Sequence, residues 1–180
     1  MELKVLLDEK KISVILNRLC CQLIERHGDF SNTVLVGLQP RGIFLLDQLV
    51  NLLVNYGIKS LKTAKLDTTF FRDDFRRSEL PLNANSTEMD IRIEDKDIVF
   101  VDDVLFTGRS IRSALTAIDS YGRPKSIELL VLIDRRFSRH LPIQPDYLGA
   151  QIDALQGDKV KVIWSKDVSK NIIYLEKKNE

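Results

Sequence analysis

The sequence contains little cysteine, tryptophan or histidine. Its 180 residues include two cysteines, one tryptophan and two histidines. The cysteines, Cys20 and Cys21, are adjacent and lie within a helical pattern, so they indicate neither a disulfide framework nor a metal site. Because disulfides accumulate in oxidising compartments, we expect a reduced, cytoplasmic protein.

Strong net charge and long apolar runs are also missing. The formal net charge is +1, so no overall basic field predicts nucleic acid as a partner. No apolar run approaches the length of a membrane span, and the opening Met-Glu-Leu-Lys lacks the apolar core of a signal peptide. With no internal repeat or linker, we expect a single domain over residues 1–180 and no membrane partner.

Helical and strand patterns alternate along the chain. Apolar residues recur at helical spacing from Asp8 to His27, and short continuous apolar runs resemble strands buried on both faces of a parallel sheet. This alternation predicts an α/β protein with a mostly parallel central sheet flanked by helices. The expected helices are 8–27, 42–55 and 111–121, and the expected strands are 33–37, 61–71, 98–101, 127–133, 160–164 and 172–175.

One stretch, Val99 to Arg109, carries most of the functional information. An apolar strand ends in Asp102 and Asp103, and Thr107-Gly108-Arg109-Ser110 then leads into a helical pattern. The first N–H groups of a helix lack partners and its dipole is positive there, so this turn predicts an anion site. Two carboxylates beside it suit a ligand with sugar hydroxyls, a phosphate and a divalent cation. A P-loop hydrolase would need a glycine-rich loop ending in Gly-Lys-Ser or Gly-Lys-Thr, which the sequence lacks.

This stretch resembles the 5-phosphoribosyl-1-pyrophosphate (PRPP) signature of type I phosphoribosyltransferases. The resemblance implies that fold, with a small hood over the base site built from the N-terminal segment and roughly residues 134–180. It also implies that Asp102 and Asp103 hold the ribose hydroxyls. Mg²⁺ would bind mainly through substrate and water, with Asp102 and Asp103 as candidate ligands. The residues expected around the 5′-phosphate are Phe106, Thr107, Gly108, Arg109 and Ser110.

Two further segments fit the leaving pyrophosphate. Gly37 to Gly42 joins a strand to a helix, and by the resemblance Arg41 and Gly42 bind pyrophosphate; the sequence leaves open whether the Gln39–Pro40 bond is cis. The polar stretch 72–90 resembles the flexible catalytic loop, which would bring Arg72 onto the leaving group. The plainer alternatives are an ordinary connection with a surface arginine and a solvated charged loop.

The base site is expected after the strand that ends near Asp134. By the resemblance, Tyr147 covers the base face, and backbone groups near Asp134 and Leu148 read its edge. The alternative is a proline-punctuated surface loop with one packed tyrosine. Purine-salvage enzymes of this type place an acid immediately before the Thr-Gly. Here that position is Phe106, which cannot exchange a proton, so we expect a pyrimidine.

Over nearly the whole chain, the sequence resembles the PyrR family of pyrimidine operon regulators and uracil phosphoribosyltransferases. The resemblance implies conversion of uracil and PRPP to UMP by a homo-oligomer, either a dimer or a tetramer. The alternative is a UMP-sensing RNA-binding regulator with weak or secondary transferase activity. Cys21, Gln144 and Ala150 stand where regulators carry basic or imidazole groups. The matching stretches are 24–26, 36–37, 41–43, 72–74, 101–109, 122–124, 134–135, 141–143 and 146–147, and the arginines retained for RNA are Arg18, Arg26 and Arg139.

Overall fold

The chain forms eight strands and three α-helices within the residues described by the computed structural model, which are 2–71, 87–154, 157–165 and 171–177. A 3₁₀ turn covers Thr69–Phe71. None of the described helices is long and apolar enough to cross a membrane. In chain order the elements are β1 (Glu2–Leu7), α1 (Glu9–His27), β2 (Thr33–Leu38), α2 (Gly42–Asn55), β3 (Lys62–Leu66), β4 (Asp97–Leu105), α3 (Arg109–Ile118), β5 (Ser126–Arg136), β6 (Tyr147–Asp153), β7 (Lys159–Ile163) and β8 (Ile172–Lys177).

The central sheet has five parallel strands in the order β3-β2-β4-β5-β6. In register, Val36 of β2 pairs with Ala64 of β3 and with Phe100 of β4. All five strands therefore end at the same edge, where open α/β sheets bind their ligands. The predicted α/β fold with a mostly parallel sheet is confirmed.

The two faces of the sheet are packed by different helices. Side chains alternate along a strand, so neighbouring residues face opposite sides. Val36 and Phe100 pack with the α3 side chains, whereas Leu35 and Val99 pack with those of α1 and α2. The continuous apolar runs of the sequence are therefore explained by burial on both faces.

Helix boundaries follow local chemistry. The Asp8 carboxylate accepts a hydrogen bond from the Lys11 backbone N–H at 2.9 Å and caps α1, which ends at Gly28 with φ 58°. At the start of α2, a Cβ on Gly42 would collide with the carbonyl oxygen of Val101. Glycine therefore lets α2 begin directly against β4, beside the acid pair.

A second, antiparallel sheet has the order β1-β8-β7. It joins the two ends of the chain, because Lys4 of β1 pairs with Leu175 of β8. Val162 of β7 and Ile173 of β8 belong to the core formed with α1 and α2.

Several predicted boundaries were wrong. The strand expected over 61–71 ends at Leu66, and the strand expected over 98–101 runs to Leu105, so the acid pair lies inside β4 rather than after it. Strands β1 and β6 were not predicted. Residues 134–153, assigned to the hood, complete β5 and add β6 to the central sheet.

Candidate active site

A cleft of about 290 Å³ opens at the carboxyl edge of the central sheet. Residues at the ends of β2, β3, β4 and β5 line it, and one residue of β7 joins them from the second sheet. Because these segments lie far apart in sequence, the cleft is a product of the whole fold. The lining residues are Leu38, Gln39, Pro40, Arg41, Thr68, Asp102, Asp103, Val104, Phe106, Ser110, Arg135 and Val160.

The acid pair forms one wall of this cleft. Asp103 is buried and accepts a hydrogen bond from Arg41 Nε at 2.8 Å. Arg41 also donates through Nη2 to the Val162 carbonyl oxygen at 3.0 Å, which links the loop before α2 to β7. Asp102 is half-buried, and one of its carboxylate oxygens accepts from the Asp103 backbone N–H at 2.9 Å.

The two carboxyl groups differ in their electrostatic surroundings. Burial, and next the charge of Asp103, raise the pKa of Asp102 to about 8, although the Asp103 backbone N–H and Arg41 oppose this rise. Burial also raises the pKa of Asp103, but the adjacent Arg41 guanidinium opposes it by Coulomb attraction and by a hydrogen bond. Of the two carboxyl groups, Asp102 therefore takes up a proton more readily than Asp103, because Arg41 favours the charged form of Asp103.

The turn after β4 forms a second pocket, of about 340 Å³, that shares Asp102, Val104, Phe106 and Ser110 with the cleft. Gly108 precedes α3 with φ 88°, a left-handed conformation that favours glycine, and the Arg109 backbone N–H at the start of the helix donates to the Thr107 hydroxyl oxygen at 3.4 Å. The first N–H groups of α3 thus face a pocket at the positive end of a helix. Its lining residues are Asp102, Val104, Leu105, Phe106, Thr107, Gly108, Arg109, Ser110 and Ile111.

Arg135 and Phe106 form a stacked pair in the cleft. The Arg135 guanidinium carbon lies 4.1 Å from the centroid of the Phe106 ring. Arg135 is 7% exposed, whereas Phe106 is 45% exposed. One ring face of Phe106 is therefore covered by a cation, and much of its side chain remains open to solvent.

Tyr147 does not lie in the cleft, contrary to the prediction that it covers a base. It is buried at the start of β6, where its hydroxyl donates to Glu128 Oε2 at 2.5 Å and lies 3.0 Å from His27 Nε2. Register explains the error: Tyr147 pairs with Leu130, four residues before Asp134 at the ligand edge. Tyr147 is a packed side chain, as in the plainer alternative, although it lies in a strand rather than in a surface loop.

Asp134 and Leu148, near which the base edge is predicted to be read, do not line the cleft themselves. They line a separate groove of about 570 Å³ with Arg139 and the segment 141–145. The Asp134 carboxylate accepts from Arg139 and from Gln151 Nε2, and the Leu148 carbonyl accepts from Arg18 at 2.8 Å. These polar groups are engaged within the protein.

Of the pyrophosphate residues, Arg41 lines the cleft, whereas Gly42 is buried against β4 and acts in packing. Arg72 and most of the expected loop 72–90 lie outside the described residues. The Gln39–Pro40 bond is cis.

The three arginines retained for RNA all have partners within the chain. Arg18 donates to the carbonyl oxygens of Leu148 and Gly149, and Arg26 pairs with Glu128 at 3.2 Å. Arg139 binds the Asp134 carboxylate and the Phe106 carbonyl oxygen. Arg139 thereby holds the loop after β5 against the turn after β4.

No group of three or more potential metal-ligating side chains was found in the described part of the chain. The cleft offers two adjacent carboxylates, one of them bound to Arg41. Such a donor set fits Mg²⁺ only if most of its ligands come from substrate oxygens and water, which is how this ion commonly binds.

Among the cleft residues to which the sequence analysis gave no individual role are Val104, Arg135 and Val160. The position of Arg135 beside Asp134 was a usable signal. Neighbouring side chains of a strand point to opposite faces, so Asp134 faces the separate groove and Arg135 faces the cleft. Val160 gave no such signal, since only the packing of the second sheet brings β7 to this edge.

These features place the chain in a known class. A family model described as "Phosphoribosyl transferase domain" matches residues 3–165. A solved hypoxanthine phosphoribosyltransferase from Trypanosoma cruzi has the same fold, with a TM-score of 0.71 and 16% identity over 96% of this chain and 91% of that one. The chain is thus a phosphoribosyltransferase-fold protein.

Sequence comparison identifies the family within this class. A "Bifunctional protein PyrR" from Clostridium novyi is 37% identical over 175 residues, covering 96% of this chain and 97% of the relative. Another, from Leuconostoc citreum, is 41% identical over 160 residues, covering 89% and 90%. The chain belongs to the PyrR family, which confirms the resemblance found in its motifs.

Proposed function

We propose that this protein transfers the 5-phosphoribosyl group of PRPP to uracil, giving UMP and pyrophosphate. The observation that carries the proposal is the continuous site in which the cleft beside the acid pair Asp102–Asp103 adjoins the pocket at the α3 N-terminus. It offers carboxylates to the ribose hydroxyls and backbone N–H groups to the 5′-phosphate. Membership of the PyrR family supports the same conclusion.

The reaction asks the protein for positioning and electrostatics rather than covalent catalysis. The bond between ribose C1′ and the pyrophosphate oxygen breaks, the bond between C1′ and uracil N1 forms, and the N1 proton passes to the departing pyrophosphate or to water. Positive charge grows on the ribose while negative charge grows on pyrophosphate. In our proposal the acid pair fixes the ribose below C1′, and the half-exposed Arg41 guanidinium faces the leaving group.

Magnesium fits this site as a companion of the substrate. Asp102 and Asp103 are the candidate protein ligands, and bound Mg²⁺ would neutralise charge on pyrophosphate. Asp102 must lose its proton before it can ligate a cation. The raised pKa of Asp102 therefore implies that cation binding at this carboxyl is favoured by rising pH.

The proposed base lies between Val104, Phe106 and Val160. These side chains give the cleft an apolar surface beside the acid pair. Phe106 cannot hold a proton at purine N7, so the pocket favours a base that needs no such partner. The proposed site thus replaces Tyr147 and Leu148, which the sequence had suggested, with residues of β4 and β7.

A nucleobase panel tests the proposal directly. Purified protein with Mg²⁺ and PRPP is offered uracil, hypoxanthine and guanine, and pyrophosphate release is followed. We expect uracil to be the preferred substrate. Replacing Asp102 or Asp103 by Asn removes a charged hydrogen-bond acceptor worth about 1.5–3 kcal/mol, so kcat/KM for PRPP should fall at least about tenfold.

Asp119→Asn is the matched control, since Asp119 is an exposed residue at the end of α3. It should retain wild-type activity. Preference for a purine would contradict the base assignment, and wild-type kcat/KM in both acid-pair variants would contradict the site assignment.

The second candidate function is UMP-responsive RNA binding. The observation in its favour is membership of a family whose relatives are named bifunctional. Against it stands the engagement of Arg18, Arg26 and Arg139 with carbonyl and carboxylate oxygens of the chain itself. We therefore place the transferase first.

A further inference from the structure

We propose that Arg135 determines base selectivity by donating hydrogen bonds to a ring carbonyl of the base, and thereby favours uracil over cytosine. This inference rests on the proposed function, because it assigns Arg135 to the base side of the same cleft. It concerns a residue that the sequence motif around the acid pair does not contain.

The first observation is that Arg135 is a buried charge without an ion-pair partner among the described residues. Its side chain lines the cleft. Its Nε is fully buried and donates no hydrogen bond to any of the residues that the structure describes. Neighbouring arginines behave differently, since Arg136 pairs with Asp153 and Arg139 pairs with Asp134. An unpaired buried charge is costly, so its retention needs a reason.

The second observation is that Arg135 is held in place. It lies near the end of β5, in register with Ile152 of β6, and its guanidinium stacks on the Phe106 ring. Burial lowers the pKa of the guanidinium while Asp158 opposes the shift, but an arginine remains protonated at neutral pH. The cleft thus contains a fixed cation beside its apolar lining residues.

The chemistry of the guanidinium decides which base it suits. Arginine has five N–H donors and no acceptor. Uracil presents carbonyl oxygens at both C2 and C4, whereas cytosine carries an amino group at C4. An arginine facing the C4 position meets an acceptor in uracil and an opposing donor in cytosine. A buried donor left without its acceptor is a strong basis for rejection.

The experiment compares UMP and CMP binding by isothermal titration to wild type and to Arg135→Gln. Glutamine can donate or accept, so it should lose the discrimination. We expect wild type to bind UMP at least about tenfold more tightly than CMP, and the variant to reduce that ratio at least about tenfold. Binding of ribose 5-phosphate should change less than twofold, which shows that the variant is folded.

Arg136→Gln is the matched control. It makes the same change one residue along β5, on an exposed side chain paired with Asp153, and the UMP to CMP ratio should be unchanged. If Arg135→Gln fails to bind ribose 5-phosphate, Arg135→Met decides the question. Loss of UMP affinity with little change for CMP is then the supporting result.

Two results would overturn the inference: equal affinity of wild type for UMP and CMP, or a wild-type ratio in the Arg135 variants. Failure of the proposed function has a different signature, namely no UMP formed from uracil and PRPP by the wild-type protein. The turnover assay therefore tests the proposed function, and the ratio of UMP to CMP affinity tests the role of Arg135.

Discussion

Single residues in the cleft are held in states that suit a ligand more than the empty protein. Asp102 is a half-buried carboxyl beside a second carboxyl, and Arg135 is a buried cation without a paired carboxylate in the described structure. Asp103, by contrast, has Arg41 at 2.8 Å. Binding sites commonly carry such locally unfavourable groups, and their cost appears in the stability of the unliganded protein.

The raised pKa of Asp102 predicts a pH-dependent effect of Asp102→Asn on stability. The folded state keeps a proton on Asp102 up to about pH 8, whereas the unfolded state loses it near pH 4. The folded protein therefore holds the extra proton between these values, and this contribution to stability is lost as the pH rises through the folded pKa. Asparagine does not titrate in this range, so the variant does not lose stability in this way as the pH rises.

We expect the unliganded variant to melt above wild type at pH 8.5, with the difference shrinking towards pH 4. For a chain of this size, each 1 kcal/mol corresponds to about 2–4 °C in Tm. Thermal melts at both pH values measure it, with Asp119→Asn as the control for charge removal. A difference in Tm that is constant across pH would contradict the prediction.

At the scale of elements, the α3 N-terminus combines backbone geometry with packing from a distant loop. Gly108 has φ 88°, and a Cβ there would lie 3.2 Å from Ile143 Cδ1 and 3.4 Å from Leu141 Cβ. The His140 N–H donates to the Thr107 carbonyl oxygen at 3.0 Å. The loop after β5 thus packs against the turn, so the pocket at the α3 N-terminus depends on segments about 30 residues apart.

Gly108→Val should therefore weaken binding at this turn. A β-branched residue is strained at positive φ, and its side chain would press on Ile143 and displace the N–H groups. We expect ribose 5-phosphate to bind at least about tenfold more weakly, since several charge-assisted hydrogen bonds depend on this turn.

Gly57→Val separates strain from site geometry. Gly57 has φ 91° after the end of α2, and a Cβ there would meet nothing within 4 Å. It should lose stability through backbone strain and keep its affinity for ribose 5-phosphate. Equal loss of affinity in both variants would show that general destabilisation, rather than the phosphate turn, is responsible.

The sequence predicted elements whose signals are local, and it failed where pairing is distant. Helix α1 was predicted because Asp8, the apolar spacing and Gly28 all lie within one segment. Strand β6 has only a partly buried pattern, and its identity depends on pairing with β5. Tyr147 was assigned to the base by the family resemblance, and only the register with β5 shows that it lies well before the ligand edge.

The residues of the candidate site likewise fall into two groups, those within one segment and those brought in by distant pairing. The turn from Asp102 to Ser110 is one continuous segment, so its residues could be named from the sequence, and they line the second pocket. Val160 reaches the cleft through the antiparallel sheet that joins both chain ends. No spacing in the sequence encodes that arrangement.

At the scale of the whole molecule, the formal net charge of +1 provides no strong overall field for RNA. Locally, the three arginines retained for RNA, Arg18, Arg26 and Arg139, each bind an oxygen of the same chain. RNA affinity depends strongly on neutralising phosphates and releasing counterions. Arginines that already have internal partners contribute less to that exchange.

We therefore expect no tight, sequence-specific complex with a pyrimidine-operon leader hairpin at physiological salt, with or without UMP. A filter-binding titration of the native assembly measures this, because oligomerisation can raise avidity. A scrambled hairpin of equal length is the control. Nanomolar affinity that UMP strengthens and Arg18→Ala weakens would make the RNA-binding function the primary one.

The two hydrogen bonds of Arg41 reduce the conformational entropy of its side chain in the folded protein. Its guanidinium is fixed at Nε by Asp103 and at Nη2 by the Val162 carbonyl, although 47% of the side chain is exposed. Freezing an arginine side chain costs about 1.5–2 kcal/mol. That ordering occurs during folding, so an arriving anion meets donors whose direction is already set. The contact between the two sheets thus preorganises the cleft.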